Sequence, residues 1–591
     1  MIDYAQYERA QGLNWYAVDP DLRFLMDYHL DAADRDWGET HLQRMGALCG
    51  GPIAERSEIV DKNPPRLERY ARWGEEINEV VHHPAALATK RDLWEHGFLG
   101  LPWSREVKER GRPVPPVLRQ AFQYLLCQAD TGMLCSVGMT TAAAELIERY
   151  APPEVRERFL PRMTTMNYDE AIDGSMFMTE KLGGSDLGSA TMTTARQTAD
   201  GWRVEGEKWF CSNVDGGAIM LLARPEGAPA GVRGLSLFLV PKWRRDGSRN
   251  GIHIRRIKDK LGTRSVPTGE VELRDAAAYL LAGSTNAPDG RGLNRMMEMV
   301  NTSRIGVAIM GLGILRRSFL ESAIYTARRE AFGRQLRDQP MVREQLVQML
   351  VDLEASAAMV FAAGAGRRSE TAQRFTRILV PLAKFRVTRR GLEAASLAVE
   401  LHGGNGYIEN WPVARQLRDA QCHTIWEGAE NVICLDVLRA MVKEQAHEAV
   451  FERVESALRQ SRDEGLAAPS GAVRSALAEV REVTAALAAM EPDRVQLNAR
   501  AVTGYLADVI QGALLLEQAA WELAQRGSAR KAVIAEIFAD RHLRTHPLRG
   551  ILSGNRTALD LFEALVGYDT VPPERAARHL GVRSQRSKVQ G

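Results

Sequence analysis

The stretch at 401–431, LHGGNGYIENWPVARQLRDAQCHTIWEGAEN, joins a glycine-rich turn to one acid about two dozen residues further on, Glu427. Ile425 and Trp426 before it are apolar and Gly428 follows, a setting suited to the mouth of an apolar slot whose backbone can approach a ligand closely. Desolvation there would raise the carboxyl pKa toward the range useful for a general base. Glu427 also suits a solvated place in the first turn of the helix that the Cys434, Val437, Leu438 and Met441 spacing predicts, where the helix dipole favours negative charge. The residues alone leave both readings open.

Elements able to position such an acid are plentiful. At 591 residues and 45% hydrophobic, the chain has length for three or four domains with buried cores. From its start to roughly 170 it reads helical, punctuated by Pro64 and Pro65 and by prolines between 113 and 116. Residues 174–285 change character, with β-rich runs TMTTARQ, WRVEGEKWF, AIMLLA and LSLFLVP, and Asp200 with Gly201 signals a hairpin. After Gly292 the helical period returns, as at Leu346, Met349, Leu350 and Leu353. It continues from about 446 to 580 through Leu506, Val509, Ile510 and Ala513.

Composition narrows the chemistry. A net charge of +2 predicts no strong global field, so attraction to nucleic acid would need a local patch. The six cysteines are scattered without a CxxC pair or a Cys/His cluster, which points to reduced thiols and no metal site. The first residues, MIDYAQYERA, read as neither signal nor transit peptide, and no apolar run approaches the ~18 residues of a membrane span, so the cytoplasm is the expected location. Gly311 and Gly313 lack the third glycine of a dinucleotide fingerprint and follow no strand pattern, which makes them a helix-packing detail.

Six motifs occur in one order: MTEKLGGSD at 178–186, KWFCS at 208–212, KLGTR at 260–264, REAFG at 329–333, HGGNGY at 402–407 and IWEG at 425–428. In order and rough spacing they resemble the acyl-CoA dehydrogenases, over about residues 120–445. The resemblance implies an α+β, mainly α fold: an N-terminal helical domain over 1–172, a middle β-barrel or sandwich domain over 173–286, a C-terminal four-helix bundle over 287–445, and an additional helical domain with a basic tail over 446–591. It implies FAD held in extended form between a β-domain and a helical domain, its adenosine end reaching a neighbouring subunit, hence a homodimer or homotetramer.

Carried over residue by residue, the resemblance has Met178 and Thr179 line the flavin, and Gly184 and Ser185 lie where flavin and substrate meet. Trp209 would pack on the ring and Ser212 hydrogen-bond the ring or ribityl chain. Arg329 would meet pyrophosphate and Phe332 cover adenine across the subunit boundary. Gly403 and Gly404 would permit close backbone approach, and Asn431 would add a flavin contact. Glu427 would take the α-proton of an acyl-CoA while the β-hydride passes to the flavin. The developing enolate would be stabilised by the Glu427 backbone N–H and a ribityl hydroxyl, with Gly428 beside the substrate. Some relatives carry the base just before the arginine of the central helix; that place, before Arg304, is Ser303, which cannot serve. Arg304 would touch the CoA portion or the active-site backbone, and electrons would pass to an electron-transfer flavoprotein.

Lys181 where most relatives have proline, Glu400 where many have glutamine, NPPRLERY at 63–70 and the helical C-terminal addition resemble the AidB-like branch, flavoproteins tied to the bacterial response to DNA alkylation. That branch implies duplex DNA binding through the C-terminal domain and weak dehydrogenase activity. Residues 526–591 hold 12 Lys and Arg against 6 Asp and Glu, and Arg541, Arg544 and Arg549 would lie near one another on a helix. Over 446–591, however, 19 basic residues face 18 acidic ones, the balance of an ordinary solvated surface. Three readings follow: an FAD-dependent acyl-CoA dehydrogenase, a DNA-associated flavoprotein, and an acyl-CoA oxidase using O2.

Overall fold

The computed structural model describes residues 2–285, 287–365, 369–546 and 555–580. The chain gathers into two compact units, one formed by Gly51–Pro115 and Ala129–Gly306, the other by Met1–Gly50, Pro116–Gln128 and Val307–Gly591.

The first unit holds the seven-stranded sheet and a two-stranded ribbon. A hairpin of β1 (Arg66–Tyr70) and β2 (Glu76–Val81) precedes seven strands: β3 (Gly174–Phe177), β4 (Thr194–Thr198), β5 (Gly201–Ser212), β6 (Ala218–Pro225), β7 (Ser236–Pro241), β8 (Ile252–Ile257) and β9 (Thr268–Leu280). Their order is β3-β5-β4-β6-β7-β9-β8, and a further β5–β9 pairing closes β5, β4, β6, β7 and β9 into a ring. Two-sided burial explains the unbroken apolar runs AIMLLA and LSLFLVP. On β6, Ile219, Leu221 and Ala223 fill the ring with Phe238 and Val240 of β7. The alternate residues Ala218, Met220, Leu222, Leu237 and Leu239 pack with residues of the helices Thr131–Tyr150 and Pro153–Thr164. The predicted hairpin forms, with Thr198 opposite Gly201.

The N-terminal stretch departs from a purely helical reading at β1 and β2. Leu67 and Val80 join the core of the ring, and the Asn78 side chain accepts a hydrogen bond from the Ile254 backbone at 3.1 Å. Tertiary docking thus stabilises a two-stranded ribbon that would be marginal alone.

The second unit is helical. Leu346, Met349, Leu350 and Leu353 are buried on the helix Pro340–Ala362, and Leu506, Val509, Ile510 and Ala513 on the helix Pro492–Arg526, as their spacing predicts. Pro340–Ala362 is long and apolar enough to cross a membrane by length and composition, but 78% of its apolar window is buried inside the protein, which fits a core helix. Gly311 does serve helix packing: a Cβ there would meet Thr388 Cα at 2.8 Å, so only glycine lets these backbones approach so closely.

Candidate active site

In the helical unit, Glu427 lies on the short loop between the helices Pro412–His423 and Glu430–Glu444. Ile425 and Trp426 both donate backbone N–H groups to the Cys422 carbonyl at 3.0 Å, turning the chain sharply. Glu427 follows at φ +57°, a left-handed conformation that a glutamate keeps only when its surroundings hold it, and Gly428 at φ +110° completes the turn. The helix starts after this turn, so Glu427 precedes its first turn and is half-buried; Glu430 is the acid in the first turn.

Three cations hold this loop from behind. Lys384, fully buried on the helix Glu370–Leu401, donates to the Gly428 carbonyl at 2.6 Å and the Thr424 carbonyl at 3.0 Å. Glu430, itself buried, accepts from Arg389 at 2.6 Å and from Arg500 of the helix Pro492–Arg526 at 2.7 Å. Arg500 also donates to Asn431 Oδ1 at 3.0 Å. His423 is buried beside the loop, its ring 6.3 Å from that of Trp426 and both ring nitrogens without a hydrogen-bond partner. Burial, reinforced by the Lys384 charge, pushes its pKa down to about 3, so the imidazole is neutral in the fold.

The glycine-rich turn in the same unit is a 3-10 segment, Gly403–Tyr407. His402 before it stacks on Tyr325 at 4.3 Å, Trp411 meets Tyr325 edge-on at 5.5 Å, and Asn405 donates to the Tyr325 hydroxyl at 3.1 Å. With the turn fixed, Gly403 at φ +59° and Gly404 are exposed, and a Cβ built on either meets nothing within 4 Å. A backbone open to solvent over two residues is the surface that close approach of a cofactor requires. Arg329 and Phe332 sit at a tight hairpin, Glu330–Ala331 with Arg334–Gln335, which presents Phe332 at 96% exposure.

In the strand unit, the Trp209 backbone donates to the Thr179 carbonyl at 2.8 Å, placing Met178 and Thr179 beside Trp209 on β5. Lys258 lies over the Trp209 ring, Nζ 3.9 Å from its centroid. Ser212 ends β5 opposite Met176, its hydroxyl 3.2 Å from that of Thr268. Gly184 and Ser185 are both exposed, and a Cβ on Gly184 would meet Thr179 Cγ2 at 3.1 Å. Behind these residues runs a dry ion pair: Lys208 Nζ meets Glu180 Oε1 at 2.7 Å and donates to the Leu222 carbonyl at 2.9 Å. Glu180 also accepts from the backbone of Met192 and from the backbone and hydroxyl of Thr193. Burial pushes the Glu180 pKa up, but Lys208 and these hydrogen bonds outweigh it and hold the carboxyl below the ordinary range. Burial lowers the Lys208 pKa, with Glu180 opposing. Arg304 is buried on the helix Gly292–Arg328.

Each unit therefore presents residues of the kinds an isoalloxazine and its phosphate arm need: a half-buried tryptophan beside Met178, Thr179 and Ser212 in one, bare glycine backbone in the other. These residues fit FAD. Among the described residues no group of three or more His, Cys, Asp and Glu could hold a metal ion. Two of the three arginines expected to touch DNA, Arg541 and Arg544, are engaged within the protein. Arg544 pairs with Glu536 at 2.6 Å and Asp540 at 3.4 Å and donates to the Ala468 carbonyl, and Arg541 lies 3.7 Å from Glu344. Arg549 and the tail at 581–591 lie outside the described residues.

Sequence reasoning missed Lys384, Arg389, Arg500 and the Glu180–Lys208 pair. Lys384 had a signal, since a lone lysine in the run ILVPLAKF must be buried and therefore partnered. Arg500 had none: its partners lie 69 and 70 residues away.

Family models match in chain order. One described as the adaptive response protein AidB N-terminal domain covers residues 5–170, the acyl-CoA dehydrogenase middle domain covers 175–276, the acyl-CoA dehydrogenase C-terminal domain covers 290–442, and a model named for the acyl-CoA dehydrogenase 11 C-terminal domain covers 445–557. The putative acyl-CoA dehydrogenase AidB of Escherichia coli K12 is 33% identical over 420 residues, 69% of this chain and 75% of that protein. Acyl-CoA dehydrogenase family member 11 of Caenorhabditis elegans is 31% identical over 527 residues, 85% of this chain and 83% of that one. The crystal structure of C. elegans ACDH-11 in complex with C11-CoA superposes with a TM-score of 0.82 at 26% identity, covering 94% of this chain and 98% of that chain. By these matches along the chain, it belongs to the acyl-CoA dehydrogenase family, an oxidoreductase family whose cofactor is FAD.

Proposed function

We propose that this chain is an FAD-dependent acyl-CoA dehydrogenase in which Glu427 removes the α-proton of the thioester. The observation that carries the reading is the conformation of Glu427: a half-buried acid at φ +57°, on a loop whose carbonyls are held by a buried lysine. That arrangement fixes the backbone that carries the carboxylate and so limits its reorganisation when the proton moves. The Glu427 backbone N–H is the candidate donor to the thioester oxygen as negative charge develops there. Met178, Thr179, Trp209 and Ser212 would hold the flavin end, and Gly403 and Gly404 would lie along it. Arg329 and the exposed Phe332 would reach the phosphates and adenine of a neighbouring subunit, which makes the working protein a homodimer or homotetramer. When bound, FAD supplies the acceptor for the β-hydride. Its electrons would then pass to an electron-transfer flavoprotein, or to O2 in an oxidase.

Anaerobic titration of the pure protein with a panel of acyl-CoAs tests this, beginning with the C11 thioester found in the C. elegans relative. Bleaching of the flavin band at one substrate per flavin is the expected result; no bleaching across the panel would contradict the reading. A DNA-associated role is the second reading, favoured by the AidB N-terminal-domain match and opposed by the internal ion pairs of Arg541 and Arg544. Salt-dependent retention on duplex DNA, lost in Arg541→Ala with Arg544→Ala, would support it.

A further inference from the structure

We infer that Arg500, on the helix Pro492–Arg526 far beyond the Glu427 loop in sequence, is a positioning residue for catalysis. The inference rests on the assignment of Glu427 as base.

The geometry is specific. Arg500 spans two consecutive residues at the start of the helix that follows Glu427, with Nη2 2.7 Å from Glu430 Oε2 and Nη1 3.0 Å from Asn431 Oδ1. A guanidinium only donates, so Asn431 must turn its oxygen toward Arg500 and its amide NH2 group away. On the other side Arg389 meets Glu430 Oε1, Nη2 at 2.6 Å and Nε at 2.8 Å. The Glu430 carboxylate is thus gripped on both oxygens by cations from two helices, while its side chain is only 7% exposed. Lys384 fixes the preceding carbonyls of Thr424 and Gly428. Lys384 thus brackets Glu427 on both sides, and two residues, Gly428 and Ala429, join it to Glu430, where the helix begins.

Removing Arg500 leaves Lys384 in place but gives the helix start one anchor in place of two. The left-handed turn at Glu427 then gains freedom to rotate, and a general base displaced by a fraction of an ångström loses rate while acyl-CoA binding is unaffected. The same long helix is also tied to Arg386 through Asp508 at 2.6 Å, a contact that does not touch Glu430 or Asn431. That second tie separates docking of the helix from positioning of the loop.

The test is single-turnover reduction of the FAD-loaded protein by its best acyl-CoA, with the dissociation constant measured in parallel. Arg500→Ala should slow reduction by about tenfold, with acyl-CoA affinity within about twofold and flavin content unchanged. Arg500→Lys, which keeps the charge and N–H donors on a single nitrogen, should recover most of the rate, and it serves as the reporting variant should the alanine form fail to fold. Asp508→Asn should lower the thermal midpoint yet reduce at the wild-type rate. Wild-type reduction in Arg500→Ala, or equal slowing in Asp508→Asn, overturns the inference. Glu427→Gln run alongside keeps the two claims apart: if it reduces at full rate, the base is misassigned, whereas slow Glu427→Gln with fast Arg500→Ala removes only the role of Arg500.

Discussion

Two ion clusters brace the candidate site residues, one in each unit, and they differ in how much water they meet. Behind Met178 and Thr179, Lys208 and Glu180 are 0% and 4% exposed and make one dry pair supplemented by backbone and hydroxyl donors. Behind Glu427, Glu430 is equally buried, but its partner Arg500 is 54% exposed and Arg389 is 37% exposed. A dry pair cannot lose one member without stranding a charge, whereas a wet arginine can leave and water can take its place. The first cluster is therefore expected to act on stability, and the second on the placement of one side chain.

The largest effect expected from this contrast is on Lys208→Met. It strands Glu180 in the core and should cost about 3–5 kcal/mol in urea denaturation. Because the Glu180 pKa is depressed in the fold, its contribution is present above the ordinary carboxylate pKa and is lost as pH falls through the lower folded value. Acid should therefore narrow the gap between wild type and Lys208→Met. A stability loss below about 1 kcal/mol would place the pair with ordinary surface bridges.

His423 sharpens the comparison from the other cluster. Its folded pKa, about 3, lies below the unfolded value near 6.5, so its neutral form stabilises the fold fully above roughly pH 6.5 and that stability is lost as pH falls toward 3. Between roughly pH 6 and 4, His423→Phe should have a stability slope shallower than wild type by about 1.4 kcal/mol per pH unit. Parallel slopes would mean the imidazole is hydrated or paired in solution. The smallest stability effect belongs to Arg500→Ala, at under about 1 kcal/mol, since an exposed guanidinium gains little from pairing. A loss as large as that of Lys208→Met would erase the distinction between the clusters.

Legibility in the sequence followed the range of the interactions. Period-3.6 burial at Leu346, Met349 and Leu350 and two-sided burial in AIMLLA are properties of contiguous residues, and the structure places them as their spacing predicts. The segment RLERY at 66–70 has only Leu67 and Tyr70 as hydrophobic residues, three apart, and no alternation; β1 forms because β2 pairs with it and Asn78 reaches β8, contacts about 10 and 176 residues apart. Glu427 stood out because a lone acid beside Trp426 and Gly428 is unusual locally. Of the cations behind its loop, only the burial of Lys384 had a sequence signal; that Lys384, Arg389 and Arg500 converge there could not be read, since their two helices meet only in three dimensions.

The most direct test of the central claim is the rate at which bound acyl-CoA reduces the flavin in Glu427→Gln. Glutamine keeps the size of the side chain and removes its basicity. FAD should remain bound at wild-type stoichiometry while reduction slows by about a hundredfold or more, the usual scale of a lost general base. A Glu427→Gln protein that bleaches at the wild-type rate would contradict the account.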